Sequence, residues 1–147
     1  MNKDLVRSKL IELATVELAE ARAAYDEHVE AARPIEDETV DVDERAQNWS
    51  EAEIAEALDG PLHMAEAKLA ALDTLDFGPK EYAEPGAIVR VDGRHYVIGV
   101  SMDRFTSDGV ELIGLSPAAP LFRAIEGLGT AETADFEGRT LTVEQVI

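Results

Sequence analysis

The sequence predicts an α+β chain: an N-terminal antiparallel helical hairpin of coiled-coil type, then a small antiparallel-sheet domain with one short helix. Three observations carry this reading. Two long segments repeat apolar residues in alternating steps of three and four, and a polar, acidic stretch separates them. Beyond Asp76 that stepping stops, and short apolar runs bounded by Gly, Pro and Asp replace it.

The first helix is predicted over residues 3 to 33. No Gly or Pro occurs before Pro34, and Ile11, Ala14, Leu18, Ala21, Tyr25, His28 and Ala32 form the a/d seam of a coiled coil. Several of these are Ala, so a partner helix can approach closely. A helix of roughly 30 residues is ~45 Å long. The second seam is Ala55, Leu58, Leu62, Ala65, Leu69 and Leu72, and its helix ends near Leu75. Its start has two readings. Asp41 or Asp43 could cap a helix beginning near Glu44, or Ser50 and Glu53 could form a capping box for a later start. Gly60-Pro61 falls inside the seam, and proline removes a backbone donor, so a kink or break is expected there. Residues 1–76 are thus read as the hairpin and 77–84 as a linker, framed by Phe77-Gly78-Pro79 and Glu84-Pro85-Gly86.

Residues 85–147 make the second domain. Ala87 to Val91 and His95 to Val100 read as strands joined by an Asp92-Gly93 hairpin turn. Val110 to Leu115 is a third strand. Ala119 to Glu126 is a short helix behind Pro117 and Pro120, and Thr140 to Ile147 closes the sheet.

The chain carries 31 acids against 13 bases, a net charge of −18. Phosphate-directed binding of nucleic acid needs clustered Lys and Arg, and no such cluster occurs. The acidity makes a solvated surface. With no cysteine, disulfides, thiolate nucleophiles and Cys-ligated zinc are excluded. No signal-peptide pattern and no membrane-spanning apolar run is present, so a cytoplasmic protein with no membrane partner is expected.

The densest charge lies in Pro34 to Trp49, PIEDETVDVDERAQNW, with six acids from Glu36 to Glu44 and no base among them. Within the hairpin this run would be the tip. On residue chemistry alone, Asp41 and Asp43 are helix-start acids that offset the helix dipole. Trp49 reads as a hydrophobic cap on the hairpin end, or as a stacking residue.

Two short motifs give a further reading. Asp41-Val-Asp-Glu44-Arg-Ala46 followed by Trp49 resembles the tip pattern of the Gre transcript-cleavage factors of bacterial RNA polymerase. Ala119-Pro120-Leu121-Phe122-Arg123-Ala124-Ile125-Glu126-Gly127 is similar to the same family's C-terminal signature. Both occur in the family's order across nearly the whole chain. The chain departs from the pattern at Gly60-Pro61, and after Gly127, where Leu-Gly-Thr-Ala-Glu-Thr replaces a basic Gly-Asp turn.

The resemblance implies an FKBP-like second domain that docks on RNA polymerase through Pro120 and Leu121. It implies a hairpin that enters the secondary channel and stimulates cleavage of backtracked RNA. Asp41 and Glu44 would then share a polymerase-bound magnesium, with no metal held by the protein alone. Magnesium suits that role, since it prefers carboxylate oxygens and keeps several waters. Such a protein is not an enzyme by itself. It meets nascent RNA and DNA only within the elongation complex, and it is expected to be a monomer.

The sequence leaves other readings open. The surplus acids Glu36, Asp37, Glu38 and Asp43 suit a Gre-like inhibitor that blocks polymerase without stimulating cleavage. A peptidyl-prolyl isomerase would need an aromatic pocket drawn from Tyr82, Tyr96, Phe105, Phe122 and Phe136. A plain coiled-coil module would have no use for Asp41 and Glu44 together. His28, His63 and His95 are too dispersed for a metal site, and no G-x-S-x-G elbow is present.

Overall fold

The computed structural model describes residues 1–31 and 59–147. The architecture is α+β: a long N-terminal helix, a second helix, then a six-stranded sheet with one short helix. Helix α1 spans Lys3–Ala31 and helix α2 covers 59–74. The chain divides into two compact units. One comprises Met1–Glu12 and Ala70–Ile147, the other Leu13–Leu69.

Within the second unit the two helices run antiparallel. Lys68 Nζ donates to Glu17 Oε2 at 2.8 Å, and Arg22 pairs with Glu66 at 3.5 Å. Rising numbers on α1 therefore meet falling numbers on α2. Partly exposed ion pairs of this kind contribute roughly 0–1 kcal/mol, so apolar burial carries the pairing. Ala14, Leu62 and Ala65 of the expected seams are buried, while Leu18, Ala21, Tyr25, His28 and Leu69 are half-buried. Ala32, Ala55 and Leu58 lie outside the described residues, as does the whole Pro34–Trp49 run.

Gly60 and Pro61 are both helical, and no break follows them through residue 74. The residue before a proline is normally driven out of the helical region by a clash between its Cβ and the ring. Gly60 has no Cβ to clash. The carbonyl that Pro61 would displace belongs to Ala57, outside the described residues.

In the first unit, Asn2 caps α1. Its Oδ1 accepts from Asp4 N at 3.0 Å and Leu5 N at 3.3 Å, satisfying two of the helix's orphan donors. The strands are β1 (Ile88–Val91), β2 (Arg94–Ile98), β3 (Met102–Ser107), β4 (Val110–Leu115), β5 (Thr133–Phe136) and β6 (Arg139–Val146), with α3 (Pro120–Ile125) between β4 and β5. Their order in the sheet is β3-β4-β2-β1-β6-β5.

The sheet is mixed, which corrects the antiparallel expectation. β2 and β4 pair in parallel, Tyr96 opposite Ile113 and Ile98 opposite Leu115. The cause is β3, a strand that the sequence reading lacked. It turns back through Asp108-Gly109 and pairs antiparallel with β4, so β4 enters beside β2 in the same direction as β2. Gly114 of β4 permits the crossing: a Cβ there would sit 2.5 Å from Met102 N and 2.6 Å from Val100 O.

Each face of the sheet buries apolar side chains. Val89, Val91, Ile98, Leu115, Leu141 and Val143 form one cluster with Phe122 and Ile125 of α3. Full burial of such side chains stabilises by about 1.5–3 kcal/mol each. The other face carries Ile88, Val97 and Leu112, all buried. The start of α1 lies against it. Asn2 N donates to Asp108 at 3.0 Å, Lys3 Nζ donates to Ile147 O at 3.0 Å and to Gly78 O at 2.7 Å, and Val6, Leu10 and Leu72 are fully buried.

The stretch from Asp76 to Gly86 is tied by polar bonds. Gly78 N donates to Asp76 Oδ1 at 2.8 Å, and Lys80 Nζ reaches Asp76 at 3.3 Å and Glu84 at 3.4 Å. The Gly78 amide, then Lys80, holds the Asp76 carboxyl below its ordinary value of 3.8. The bond to Asp76 raises Lys80 in turn, against some desolvation. A carboxylate depressed in this way adds stability above its unfolded pKa, and that stability is lost as pH falls through the folded value. Asp76→Asn is therefore expected to destabilise at neutral pH, with a gap to wild type that closes on acidification below about pH 4. Urea midpoints along a pH series check this, and a constant gap would assign the loss to packing.

Candidate functional site

The motif that begins at Ala119 folds as a loop and one helical segment on the α3 face of the sheet. Ala119 N donates to Ser116 O at 2.9 Å, and Ala118 N donates to Ser116 Oγ at 3.2 Å. Ala119 stands at the N-cap with φ −66° and ψ 139°, and its side chain makes no cap bond. Pro120 follows in the first turn, where a missing N–H costs nothing and the fixed φ is already helical. Arg123 N then donates to Ala119 O at 3.1 Å.

Phe122 and Ile125 anchor this segment in the core, 3% and 0% exposed. Pro120 and Arg123 are left exposed and Leu121 half-buried. The far end is pinned as well. Gly127 N donates to Ala83 O at 2.9 Å, and Ala83 N donates to Leu128 O at 2.8 Å. Pro120 and Leu121 are thus held on a rigid ledge.

Leu121 also forms part of a cavity of about 300 Å³ with Tyr96, Phe136, Arg94 and Arg139. Of the five aromatics named for an isomerase pocket, Tyr96 and Phe136 line it; Phe105 and Phe122 are buried side chains, and Tyr82 is exposed elsewhere. The two arginines were not singled out from sequence, although a signal existed. Asp92-Gly93 and Glu137-Gly138 each place two successive residues at positive φ, as a type I′ turn requires, and each is followed by Arg. The two turns bring Arg94 and Arg139 to one cavity.

The other predicted site residues, Asp41 and Glu44, lie outside the described residues, as does Trp49. Among the described residues no group of three or more His, Asp or Glu could hold a metal ion. His63 sits between Asp59 at 3.2 Å and Glu66 at 3.6 Å on the exposed surface of α2. No described helix is long and apolar enough to cross a membrane.

No family model matches the chain, and no curated protein matches it. Two solved structures are similar along nearly its whole length. One is the transcription factor Gfh1, at 15% identity over 93% of this chain and 92% of that one, with a TM-score of 0.37. Another is the GreA factor homolog 1 (Gfh1) protein of Thermus thermophilus, at 18% identity over 96% and 92%, with a TM-score of 0.33.

Proposed function

We propose that this chain is a Gre-type transcription elongation factor that binds bacterial RNA polymerase in the cytoplasm. One observation carries the reading. The Ala119–Gly127 signature folds as an anchored ledge that exposes Pro120, on a domain preceded by an antiparallel helix pair. The acidic Pro34–Trp49 run joins those two helices in sequence.

In this reading Pro120, Leu121 and the exposed Arg123 meet the polymerase. Asp41 and Glu44 complete the ligand set of a magnesium ion that the polymerase holds. Their carboxylates are hard oxygen donors of the type magnesium prefers. When bound, that ion would activate water for phosphodiester hydrolysis. The chain's own part is to present two negative charges at one place, and the polymerase supplies the RNA.

A second reading is favoured by a specific feature. Glu36, Asp37, Glu38 and Asp43 are surplus to a two-carboxylate site. Excess charge suits a non-productive hold on the metal and hence inhibition. Adding the purified protein to a stalled, backtracked elongation complex with magnesium separates the two. Shortened RNA indicates stimulation, blocked extension without shortening indicates inhibition, and no effect on either would remove the family reading.

The ledge makes its own prediction. Pro120 is exposed and outside the core cluster, so Pro120→Ala should change stability by less than about 1 kcal/mol. It should loosen the loop geometry and weaken polymerase binding. A binding titration that shows unchanged affinity would take this loop out of the interface.

A further inference from the structure

On the sheet face opposite α3, a cavity of about 620 Å³ opens beside the start of α1. Gln145, Arg90 and His95 cross its floor as one row, because Arg90 is in register with Gln145 of β6 and with His95 of β2. An amide, a guanidinium and an imidazole thus stand side by side, all able to donate hydrogen bonds. Lys3 and Lys80 border the same space, and Ile88, Val110 and Pro79 give it an apolar wall.

The charge balance here reverses that of the chain. Counting side chains, the three cations Lys3, Lys80 and Arg90 line the cavity with one acid, Asp108, and the main-chain ends at Met1 and Ile147 add one charge of each sign. The whole sequence has 13 bases and 31 acids. Part of that positive charge is already matched. Lys80 is drawn to Asp76 and Glu84, and Asp108 accepts the Asn2 amide. Arg90 and His95 remain. Arg90 Nε donates to Glu144 Oε2 at 2.9 Å, while Glu144 Oε1 accepts from Gly93 N at 3.0 Å. This clamp holds the guanidinium by one edge, and Arg90 has no second acidic partner among the described residues. The half-buried His95 imidazole has no hydrogen-bond partner among them either. Lys3 spends two of its three donors on the Gly78 carbonyl and on the main-chain carboxylate oxygen of Ile147.

We propose that this cavity binds a small organic anion, a compound of metabolite size with a terminal carboxylate or phosphate. The oxyanion sits on Arg90 and His95 with Lys3 nearby, and the apolar body lies along Pro79 and Val110. A guanidinium fixed at one edge presents its remaining donors as a planar fork, the geometry that carboxylate and phosphate oxygens match. The cavity is of the size that ligand sites of small molecules have. This inference does not depend on the proposed role in transcription.

The test is an amide NMR titration of the full chain with benzoate, phenyl phosphate and inorganic phosphate, at constant ionic strength set by chloride. Saturable shifts are expected at residues 88–91, His95 and Gln145, with α3 unmoved. The stronger of the two aromatic probes identifies the head group. Arg90→Gln should weaken that probe by about tenfold or more, since it removes a charge-assisted pair. His95→Gln is the second variant, should Arg90→Gln disturb the sheet, and it should weaken binding as well. Absence of saturable shifts with any probe overturns the proposal. So does binding that both variants leave intact, or inorganic phosphate binding as tightly as phenyl phosphate, which would leave the apolar wall without a role.

Discussion

Gly86→Ala is expected to remove a large part of the stability of the sheet-bearing unit. Gly86 lies at φ +93°, where a side chain is strained in any surroundings. It is also buried, and a Cβ at this position would come within 1.8 Å of the Asp76 carbonyl oxygen. That obstacle is backbone, and it cannot rotate away. Asp76 is itself held by Gly78 and Lys80, and Gly86 N donates to Ile98 O at 2.8 Å at the entrance to β1. The stretch therefore has to lose one of these bonds or shift as a whole. Backbone strain with a buried clash places the loss at about 3–5 kcal/mol, against a total of roughly 5–15 kcal/mol for an ordinary domain. Gly129→Ala is the control. It is equally buried, has no strained φ, and its new Cβ would meet Glu81 O at 3.5 Å and Tyr82 at 3.7 Å, which is ordinary contact. Denaturant unfolding of the two variants should give a large loss for the first and about 0.5 kcal/mol or less for the second. Equal losses would mean that the position of the methyl group does not matter, and the close approach of Gly86 to Asp76 would be wrong.

What the sequence made legible follows from the range of the forces involved. Long helices announce themselves by a repeat that many residues share, so α1 and α2 and the antiparallel sense of their pairing were readable. The residues 100% buried at the start of α1 were not. Val6 and Leu10 precede the expected seam, and they are buried within the sheet-bearing unit rather than the helix-pair unit. A helix seam read by periodicity does not say which partner buries which turn. Strands β1, β2, β4 and β6 and helix α3 were found within a residue or two. β3 and β5 were missed for different reasons. Met102–Ser107 has an irregular register between Met102 and Phe105, which breaks the alternation by which a strand is recognised. Thr133–Phe136 is four residues long and only half-buried at alternate positions. The turns Asp108-Gly109 and Glu137-Gly138 were the surviving signals, each a compact pair at positive φ. The cost of missing β3 was more than one strand, because each omitted strand reverses the direction of the next. The candidate site divides along the same line. Pro120 and Leu121 are neighbours in sequence, so a short motif is enough to name them as candidates. Arg94, Tyr96, Phe136 and Arg139 come together only when β2, β1, β6 and β5 lie in succession, which is a fact of topology.

Asp41→Asn combined with Glu44→Gln should separate function from fold. The two substitutions keep side-chain size and most hydrogen-bonding capacity while removing two negative charges. Amide oxygens are poor substitutes for carboxylate in binding magnesium, so under the proposed function the loss should fall on the metal-directed step. The described packing of the chain involves neither residue: Ala14, Leu62 and Ala65 are buried between the helices, and the sheet cores lie beyond Asp76. Stability should change by about 0.5 kcal/mol or less per substitution. A factor that stimulates cleavage should keep its affinity for polymerase and lose nearly all shortening of backtracked RNA. An inhibitor behaves differently. Wild type would show no shortening, and the double variant would inhibit less while Glu36, Asp37, Glu38 and Asp43 keep part of the effect. The two outcomes differ in the wild type before any substitution is made, so one gel of RNA lengths with both proteins distinguishes them. Full cleavage activity in the double variant would leave Asp41 and Glu44 with no part in the metal-directed step.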